Sequence, residues 1–353
     1  MNFFPSSSLS STPRAVVPGI EDFVFIPNSE LRIPHSMSSQ SAIVVGGTIA
    51  IDHVKTPTAE AENLLGGSAA YAALAASYFT GPVHLVGIVG HDFPKPHLDM
   101  LESHGVTLDG VERSEGDSFS WSGEYHENMN DRTTHRVAVN VLETWEVKVP
   151  GELAASPIVV LANMSPDNQL QMLDQCTAPG RFVVADTMDL WINIASERLH
   201  EVLKRIDLFV INEGEARDFA GTSNLILAGQ RLLAKGPRHV VIKLGEFGAM
   251  LFSADGLETW ALSESSFFRC AAFPLSEVAD PTGAGDSFLG GLAGYLASTG
   301  RSEFSFADLR QAVVQGSVVA SFTCEAFSTR RLQSLTDKDI TQRWDAFKKL
   351  THW

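Results

Sequence analysis

The sequence has few cysteines, and none is spaced like a metal ligand. Cys176, Cys270 and Cys324 are far apart in a chain of 353 residues, and none belongs to a C-x-x-C pair. The eleven histidines form no H-x-x-x-H or H-x-H cluster. Structural zinc is therefore disfavoured, because its ligands come in closely spaced sets. Isolated cysteines are typical of a reducing compartment, so we expect a cytoplasmic location.

Basic residues are also scarce. The chain has 26 lysines and arginines against 42 aspartates and glutamates, which gives a formal net charge of −16 at pH 7. A surface this acidic repels phosphate backbones and anionic lipid heads, so we expect neither a nucleic-acid nor a membrane partner. No apolar run approaches the ~18 residues that a membrane-spanning helix requires. A small anionic ligand is still compatible with this charge, because a local site can reverse the global field.

The first forty residues have no periodic pattern. They are rich in serine and proline, and Arg14 is the only basic residue among the first 31. They lack the basic start and the continuous apolar segment of a secretory signal. We expect a disordered extension over residues 1–40, or a start at Met37, followed by one domain over residues 41–350.

From residue 41 onward, short β-branched runs alternate with helical patterns. AIVVGGTIAI, VHLVGIVG, RFVVADT and HVVIKLG predict buried strands, and stretches such as GGSAAYAALAASYF predict helices between them. This alternation predicts an α/β fold with a mostly parallel central sheet that helices cover on both faces. In such sheets ligands bind beyond the C-terminal strand ends. The polar residues that close strands here are Asn163, Asp186, Asn212 and Lys243.

Residues 117–145 break this rhythm. Their side chains alternate in period two through Phe119, Trp121 and Tyr125, and again over residues 137–141. Such alternation predicts a half-exposed antiparallel pair of strands, set apart from the main sheet. We interpret this stretch as a candidate lid or as a surface for a homodimer.

The stretch DPTGAGDSF, residues 280–288, combines glycines with an aspartate at the mouth of a helix. Gly283, Ala284 and Gly285 carry little side chain, so backbone N–H groups can surround an anion where the helix adds about half a positive charge. Asp286 repels an anion, but it suits a hydroxyl that must lose its proton during phosphoryl transfer. An ordinary pKa near ~4 suffices, since that proton leaves late. The alternative is an aspartate that only caps the helix.

The rest of this helix narrows the choice of nucleotide site. Phe288 occupies the last glycine position of a G-x-G-x-x-G motif, and no G-x-x-x-x-G-K-[ST] sequence exists, which excludes a Rossmann fingerprint and a P-loop.

Gly290, Gly291 and Gly294 lie inside the helical run and predict its close approach to the sheet.

DPTGAGDSF resembles the signature D-T-x-G-A-G-D-x-F of the ribokinase-like (PfkB) carbohydrate kinases. Other landmarks of that family follow in order over residues 41–330: VVGGTIAID resembles the opening strand with its final aspartate, LGGSAAYAAL the glycine pair, NEGEA the N-x-x-E motif, and VIKLGEFGAML the strand and loop before the lid of the nucleotide site. The resemblance implies a three-layer ribokinase-like fold with lid strands from residues 50–65 and 117–145. It also implies ATP-dependent phosphorylation of a sugar hydroxyl, most simply a hydroxymethyl group.

Two other functions stay open at this point. One is a nucleoside kinase of the same family, because sugar and nucleoside acceptors are hard to separate, and Trp121 and Tyr125 could close over either. The other is a ligand-binding regulator that retains the fold without turnover. Intact Asp286, Asn212 and Glu215 argue against the regulator.

The resemblance assigns the acceptor side of the site. Asp286 is implied to be the catalytic base, next to an anion hole formed by Gly283, Ala284 and Gly285. The residues implied to hold the hydroxyl groups of the acceptor are Asp52, Gly66 and Gly67.

The resemblance likewise assigns the nucleotide side. The residues implied to bind ATP are Asn212, Glu215, Lys243, Gly245 and Gly248. Glu215 is also implied to hold Mg²⁺ through water, which suits an ion that keeps several waters. Asp280 and Thr282 resemble ligands of a monovalent cation such as K⁺; turn chemistry around Pro281 is the alternative.

The sequence departs from the family pattern at two positions. Tyr71 stands where the family usually has an asparagine that touches the substrate, and Lys243 stands where it usually has threonine. Tyr71 could stack on a base or sugar ring, or pack in the core like most aromatics on apolar helices. Lys243 could add positive charge near the phosphates. Both departures bear on the identity of the substrate.

Overall fold

The computed structural model describes residues 41–255 and 262–351. The extension expected over residues 1–40 lies outside the described residues. Within the described ranges, none of the helices combines the length and the apolar character needed to cross a bilayer.

Strands and helices alternate along most of the described chain, apart from β1 to β3 at its start and β5 to β7. The strands are β1 Ile43–Gly46, β2 Ala50–Lys55, β3 Glu60–Gly66, β4 Val83–Val89, β5 Val106–Arg113, β6 Ser120–Tyr125, β7 Arg132–Ala138, β8 Ile158–Leu161, β9 Phe182–Ala185, β10 Leu208–Asn212, β11 His239–Lys243, β12 Ala249–Ser253 and β13 Phe267–Cys270. The helices are α1 Ser68–Ser77, α2 Lys95–Ser103, α3 Pro166–Gln175, α4 Asp189–Ile194, α5 Ser196–Leu203, α6 Glu213–Ala220, α7 Leu225–Leu233, α8 Ala284–Ser298, α9 Phe306–Thr323 and α10 Asp337–Thr351.

Nine strands form a central sheet in the order β5-β4-β1-β8-β9-β10-β11-β12-β13. The first seven are parallel, and β12 and β13 extend the sheet in antiparallel fashion. Strands β1, β8 and β9 are buried along their whole length, which explains their uninterrupted apolar sequences. Side chains of α1, α8 and α9 build the core on one face, and those of α3, α5, α6 and α7 build it on the other. The predicted α/β fold with three layers is confirmed.

A second sheet of four strands has the order β3-β2-β6-β7. Strands β2 and β6 run parallel, and the other two pairs are antiparallel. The opening apolar run was expected to form one strand, but it forms two. Strand β1 ends at Gly46, and Asp52 lies in β2 of the small sheet. A continuous apolar run has no periodicity that marks where the chain changes sheets.

The glycines of α8 serve helix packing. A β carbon on Gly290 would lie 2.1 Å from the Ala72 carbonyl oxygen, and one on Gly294 would lie 2.7 Å from the Cα of Ala76. Gly291 instead faces Val319 of α9. The prediction that these glycines bring α8 close to the sheet is wrong. They face helices, because α8 packs between α1 and α9 and glycine lets helix backbones approach closely.

Candidate active site

Helix α8 begins at a glycine in the left-handed conformation. Gly283 has φ 77° and precedes the first helical residue, Ala284. The Ala284 N–H donates to the carbonyl of Pro281 at 3.1 Å, and the Ser287 N–H donates to the carbonyl of Gly283 at 2.8 Å. The N–H groups of Gly285 and Asp286 come before that first helical bond. The Asp286 N–H bonds to its own carboxylate, whereas the Gly285 N–H is available to an external anion, as expected at a helix N-terminus.

Asp286 lies in the first turn of α8 and does not cap the helix. The capping position belongs to Gly283, and no side chain makes a capping hydrogen bond there. Burial and the nearby Asp186 raise the pKa of Asp286 to about 6, against the opposing effect of Lys243 and Arg132. The expected ordinary pKa near 4 is therefore wrong, because the carboxylate is partly shielded from water and lies near another carboxylate. Asp286 is nevertheless ionised above pH 6 and can accept a proton.

Lys243 forms a buried ion pair beside this helix mouth. Its Nζ lies 2.7 Å from Oδ2 of Asp186, and the two side chains are 17% and 4% exposed. A β carbon on Gly285 would lie 3.1 Å from the same Nζ. Burial lowers the pKa of Lys243, but the negative charges of Asp186 and Glu215 together raise it by more, so the net shift of the pKa is upward. The lysine therefore places a full positive charge next to the first turn of α8.

Asn212 and Glu215 hold the start of α6 through a reciprocal capping box. The Glu215 N–H donates to Asn212 Oδ1 at 2.9 Å, and the Asn212 N–H donates to Glu215 Oε2 at 3.0 Å. Burial and the charge of Asp186 raise the pKa of Glu215 to about 7, while Lys243 opposes this rise. The N-x-x-E motif thus has a structural role, and it also brings a carboxylate close to the Asp186–Lys243 pair.

Asp52 faces the carboxylates of the C-terminal motif from the small sheet. A β carbon on Gly66 would lie 2.1 Å from the Asp52 carboxyl carbon, so a side chain at this position would displace the carboxylate. Gly67 has φ 90° and lies directly against the backbone of Thr48. Burial, followed by the charges of Asp280 and Asp286, raises the pKa of Asp52 to about 8. The structure therefore brings Asp52, from strand β2 of the small sheet, and Asp286, from helix α8, to the same site.

Asp280 ties the loop before α8 to a distant turn. Its Oδ1 accepts the Thr282 N–H at 2.9 Å, and its Oδ2 accepts the Ser328 N–H at 3.0 Å. Burial raises the pKa of Asp280, against the hydrogen bonds from Thr282 and Ser328. Both carboxylate oxygens thus accept backbone N–H groups, which fixes the loop leading to Gly283.

The two glycines after β11 occupy a tight turn. Gly245 and Gly248 have φ angles of 56° and 92°. A β carbon on Gly248 would lie 2.0 Å from the carbonyl oxygen of Cys270, so this glycine is required by the neighbouring strand β13. One on Gly245 would lie 3.4 Å from Asn130 Oδ1, in the turn between β6 and β7. The loop after β11 therefore meets the hairpin of the small sheet.

Tyr71 does not face the ligand space. Its side chain is 1% exposed, and its ring lies where a β carbon on Gly283 would come within 2.3 Å. Burial and the charges of Asp280 and Asp52 raise its pKa, against a hydrogen bond with Ser328. Of the two alternatives, packing in the core is confirmed, and the family's usual contact at this position is absent.

Arg132 was missed by sequence reasoning. It pairs with Tyr125 across β6 and β7, so both side chains lie on the same face of the small sheet. Burial raises the pKa of both Tyr125 and Asp286, and the charge of Arg132 opposes part of each rise. A single arginine after an exposed turn belongs to no motif and to no periodic pattern, so nothing in the sequence marks it as a site residue. Only the pairing of the strands shows that it belongs to the site.

Comparison with known proteins agrees with this geometry. The pfkB family of carbohydrate kinases matches residues 40–335. The cytidine kinase of Thermococcus kodakarensis is 30% identical over 259 residues, which cover 72% of this chain and 88% of that protein.

The fold is shared with solved structures of kinases. The nucleoside kinase of Methanocaldococcus jannaschii matches with a TM-score of 0.67 at 17% identity, over 87% of this chain and 99% of its own. The ribokinase of Arabidopsis thaliana, solved with ribose and ATP, matches with a TM-score of 0.67 at 20% identity, over 86% and 99%. The family match, the cytidine kinase relative and the shared fold lead to one conclusion: the chain belongs to the PfkB family of carbohydrate kinases, ATP-dependent enzymes that phosphorylate a hydroxyl group.

Proposed function

We propose that this enzyme transfers the γ-phosphoryl group of ATP to a hydroxymethyl group of a sugar, with Asp286 as the general base. The observation that carries this proposal is the position of Asp286. It is a half-buried carboxylate in the first turn of α8, next to the N–H of Gly285 and to the ammonium of Lys243. A base, an anion site and a cation together are what phosphoryl transfer to a hydroxyl requires.

On the acceptor side, Asp52 accepts hydrogen bonds from hydroxyl groups. Its carboxylate is 5% exposed and lies between Gly66 and the carboxylates of Asp280 and Asp286. Hydroxyl donors favour the ionised form, so an acceptor that binds here lowers the raised pKa of Asp52. Gly66 and Gly67 let the acceptor approach the backbone closely.

On the phosphate side, Lys243 and the N–H groups of Gly283, Ala284 and Gly285 surround the transferred group. Because the Ala284 N–H is already engaged by Pro281, Lys243 and the Gly285 N–H carry most of the stabilisation. These donors are held by the ion pair and by the helix, so they need no reorganisation as charge develops.

The remaining nucleotide and cation contacts follow the family motifs. Asn212, Glu215, Gly245 and Gly248 line the ATP phosphates. The Glu215 carboxylate, which lies within electrostatic reach of Asp186, would hold Mg²⁺ through water, since Mg²⁺ is a hard cation that takes oxygen ligands and keeps several waters. Mg²⁺, when bound, neutralises charge on the ATP phosphates.

A monovalent cation such as K⁺ is proposed beside the loop of Asp280 and Thr282. It acts on the loop that leads to Gly283 and does not touch the acceptor. The cytoplasmic location and the homodimer through the small sheet stay predictions.

A nucleoside is the second candidate acceptor. It is favoured by the 30% identity to a cytidine kinase. It needs the same hydroxymethyl group beside Asp286 and the same contact with Asp52, so the chemistry is unchanged. The two candidates differ only in what lies beyond the sugar ring.

Turnover with a panel of acceptors tests the proposal. The enzyme is incubated with ATP, Mg²⁺ and either ribose, fructose, cytidine or adenosine, and product is detected by mass spectrometry. Thermal shift with a non-hydrolysable ATP analogue measures binding in parallel, because a ligand that binds only the native state raises the melting temperature. We expect one acceptor to gain a phosphoryl group. Binding of acceptor and analogue without any product would contradict the proposed function.

A further inference from the structure

The side chain of Tyr71 connects helix α1 to the start of helix α8. Tyr71 is 1% exposed and lies near the start of α1, where its N–H donates to the carbonyl of Gly67 at 3.3 Å. A β carbon on Gly283 would lie 2.3 Å from Cε1, 2.4 Å from Cζ and 2.5 Å from Cδ1 of Tyr71. These three atoms form one edge of the ring. The ring therefore occupies the space in which another residue at position 283 would carry its side chain.

The conformation of Gly283 sets the direction of the first turn of α8. Its φ of 77° and ψ of 0° are left-handed, a conformation that glycine adopts without the steric cost of a β carbon. Glycine also has the widest choice of other conformations, so residue 283 does not hold this one by itself. The Gly285 N–H and the Asp286 side chain follow within three residues. A contact that fixes Gly283 therefore fixes the position of both groups.

The hydroxyl of Tyr71 supports the same loop through Ser328. The two side chains are hydrogen-bonded, and burial raises the pKa of Tyr71, so the hydroxyl keeps its proton. The Ser328 hydroxyl donates to the carbonyl of Leu65 at 2.5 Å, which leaves Tyr71 as the donor in their bond. The Ser328 N–H donates to Oδ2 of Asp280 at 3.0 Å. Tyr71 thus contacts Gly283 with its ring and the anchor of Asp280 with its hydroxyl.

We propose that Tyr71 is a positioning residue for phosphoryl transfer, which holds the Gly283 turn so that the Gly285 N–H and Asp286 face the reacting groups. This inference rests on the proposed function, which assigns the anion site and the base to these two residues. Tyr71 itself touches neither substrate, because it is buried behind Gly283. The position at which the family usually has a substrate-binding asparagine thus supports the site from behind in this chain.

Three variants test the proposal with ATP and each acceptor of the panel. Tyr71→Leu removes the ring edge from Gly283, and Tyr71→Phe keeps the ring and removes only the hydroxyl. Leu74→Ala is the control, because Leu74 is equally buried one turn further along α1. Its truncation should lower the urea midpoint as a core cavity does and leave kcat unchanged.

The expected effect is on kcat, because a displacement of about 1 Å at the reacting groups can cost about 10²-fold in rate. We expect Tyr71→Leu to lower kcat by about 10- to 100-fold while the KM values of ATP and of the acceptor are retained, since contacts made in the transition state are lost. Tyr71→Phe should retain most of the activity, because the ring edge still packs on Gly283.

All rates are measured below the melting transition of every variant. If Tyr71→Leu does not fold, Tyr71→Met replaces it, because a flexible side chain fills the cavity better. A kcat of the folded variant within about twofold of the wild type would overturn the role of Tyr71. An equal loss of kcat in Leu74→Ala would also overturn it, because the loss would then follow from stability alone. Absence of turnover in the wild type with every acceptor overturns the proposed function itself.

Discussion

Lys243 and Asp186 affect the base in opposite directions, so replacing them one at a time tests the electrostatics of the site. Asp186 raises the pKa of Asp286, and Lys243 lowers it. The base works only when Asp286 is ionised, so activity is present above its pKa and is lost as the pH falls through about 6. We expect Lys243→Met to move this loss to higher pH, and Asp186→Asn to move it to lower pH. A charge within about 4–6 Å shifts a carboxylate pKa by about 1–3 units, so about one pH unit is expected for each variant.

The same pair makes a measurable contribution to stability. Asp186 is buried, with a side chain 4% exposed, and Lys243 Nζ is its partner at 2.7 Å. Lys243→Met leaves this carboxylate without its ion-pair partner. Breaking a buried pair in this way costs about 3–5 kcal/mol, and we expect the lower end because Lys243 keeps some contact with water. The double variant with Asp186→Asn should recover part of this loss, because no buried charge is then left alone.

The assay is the pH dependence of kcat/KM for the acceptor at saturating ATP, between pH 5 and 9, since kcat/KM reports the pKa values of the enzyme before the acceptor binds. Urea unfolding of the three variants gives the free energies. If Lys243→Met and Asp186→Asn both shift the acid side of the pH–activity profile in the same direction, the opposed action of Lys243 and Asp186 is refuted. If neither variant shifts the acid side of its pH–activity profile, the loss of activity at low pH does not arise from protonation of Asp286.

Three further outcomes are expected. The pKa of Asp52 is about 8 in the fold against 3.8 in an unfolded chain, so the native state holds the extra proton and stability falls as the pH rises through that window. Asp52→Asn should therefore melt higher than the wild type at pH 8, as measured by differential scanning fluorimetry, while its acceptor KM rises. Potassium should raise kcat severalfold over a large organic cation at equal ionic strength; equal rates would remove the cation site at Asp280 and Thr282. Gly290→Ala places a β carbon 2.1 Å from the Ala72 carbonyl and should lower the free energy of unfolding by about 1–3 kcal/mol; an unchanged urea midpoint would contradict the close packing of α8 on α1.

The alternation of strands and helices was sufficient to predict the class of the fold. Runs such as those of β8 and β9 are apolar throughout because both faces are covered, and this is visible in the sequence. The place where the chain leaves the main sheet was not visible. Gly46 ends β1 and Asp52 belongs to another sheet, yet both lie in one apolar run. The hydrophobicity of a run indicates that its residues are buried, but it does not indicate which of two sheets they join.

Contacts between distant elements could not be read from the sequence. Asp186 and Lys243 were each singled out as strand-closing residues, but their pairing depends on β9 and β11 lying on either side of β10. The raised pKa of Asp286 has the same origin, since burial and Asp186 cause it. The motif around Asp286 identified the residue, and the tertiary structure determined its charge state.

The role of Asp286 as the base is tested most directly by the variant Asp286→Asn. This change keeps the size of the side chain but removes its ability to accept the hydroxyl proton, so kcat should fall by roughly 10²–10⁴-fold. The Kd of ATP should be retained, because Lys243 and the backbone N–H groups are untouched. The melting temperature should not fall, because Asp286 does not cap α8 and a half-buried charge near Asp186 is removed. A kcat close to that of the wild type, with any acceptor the enzyme uses, would contradict the assignment of Asp286 as the base.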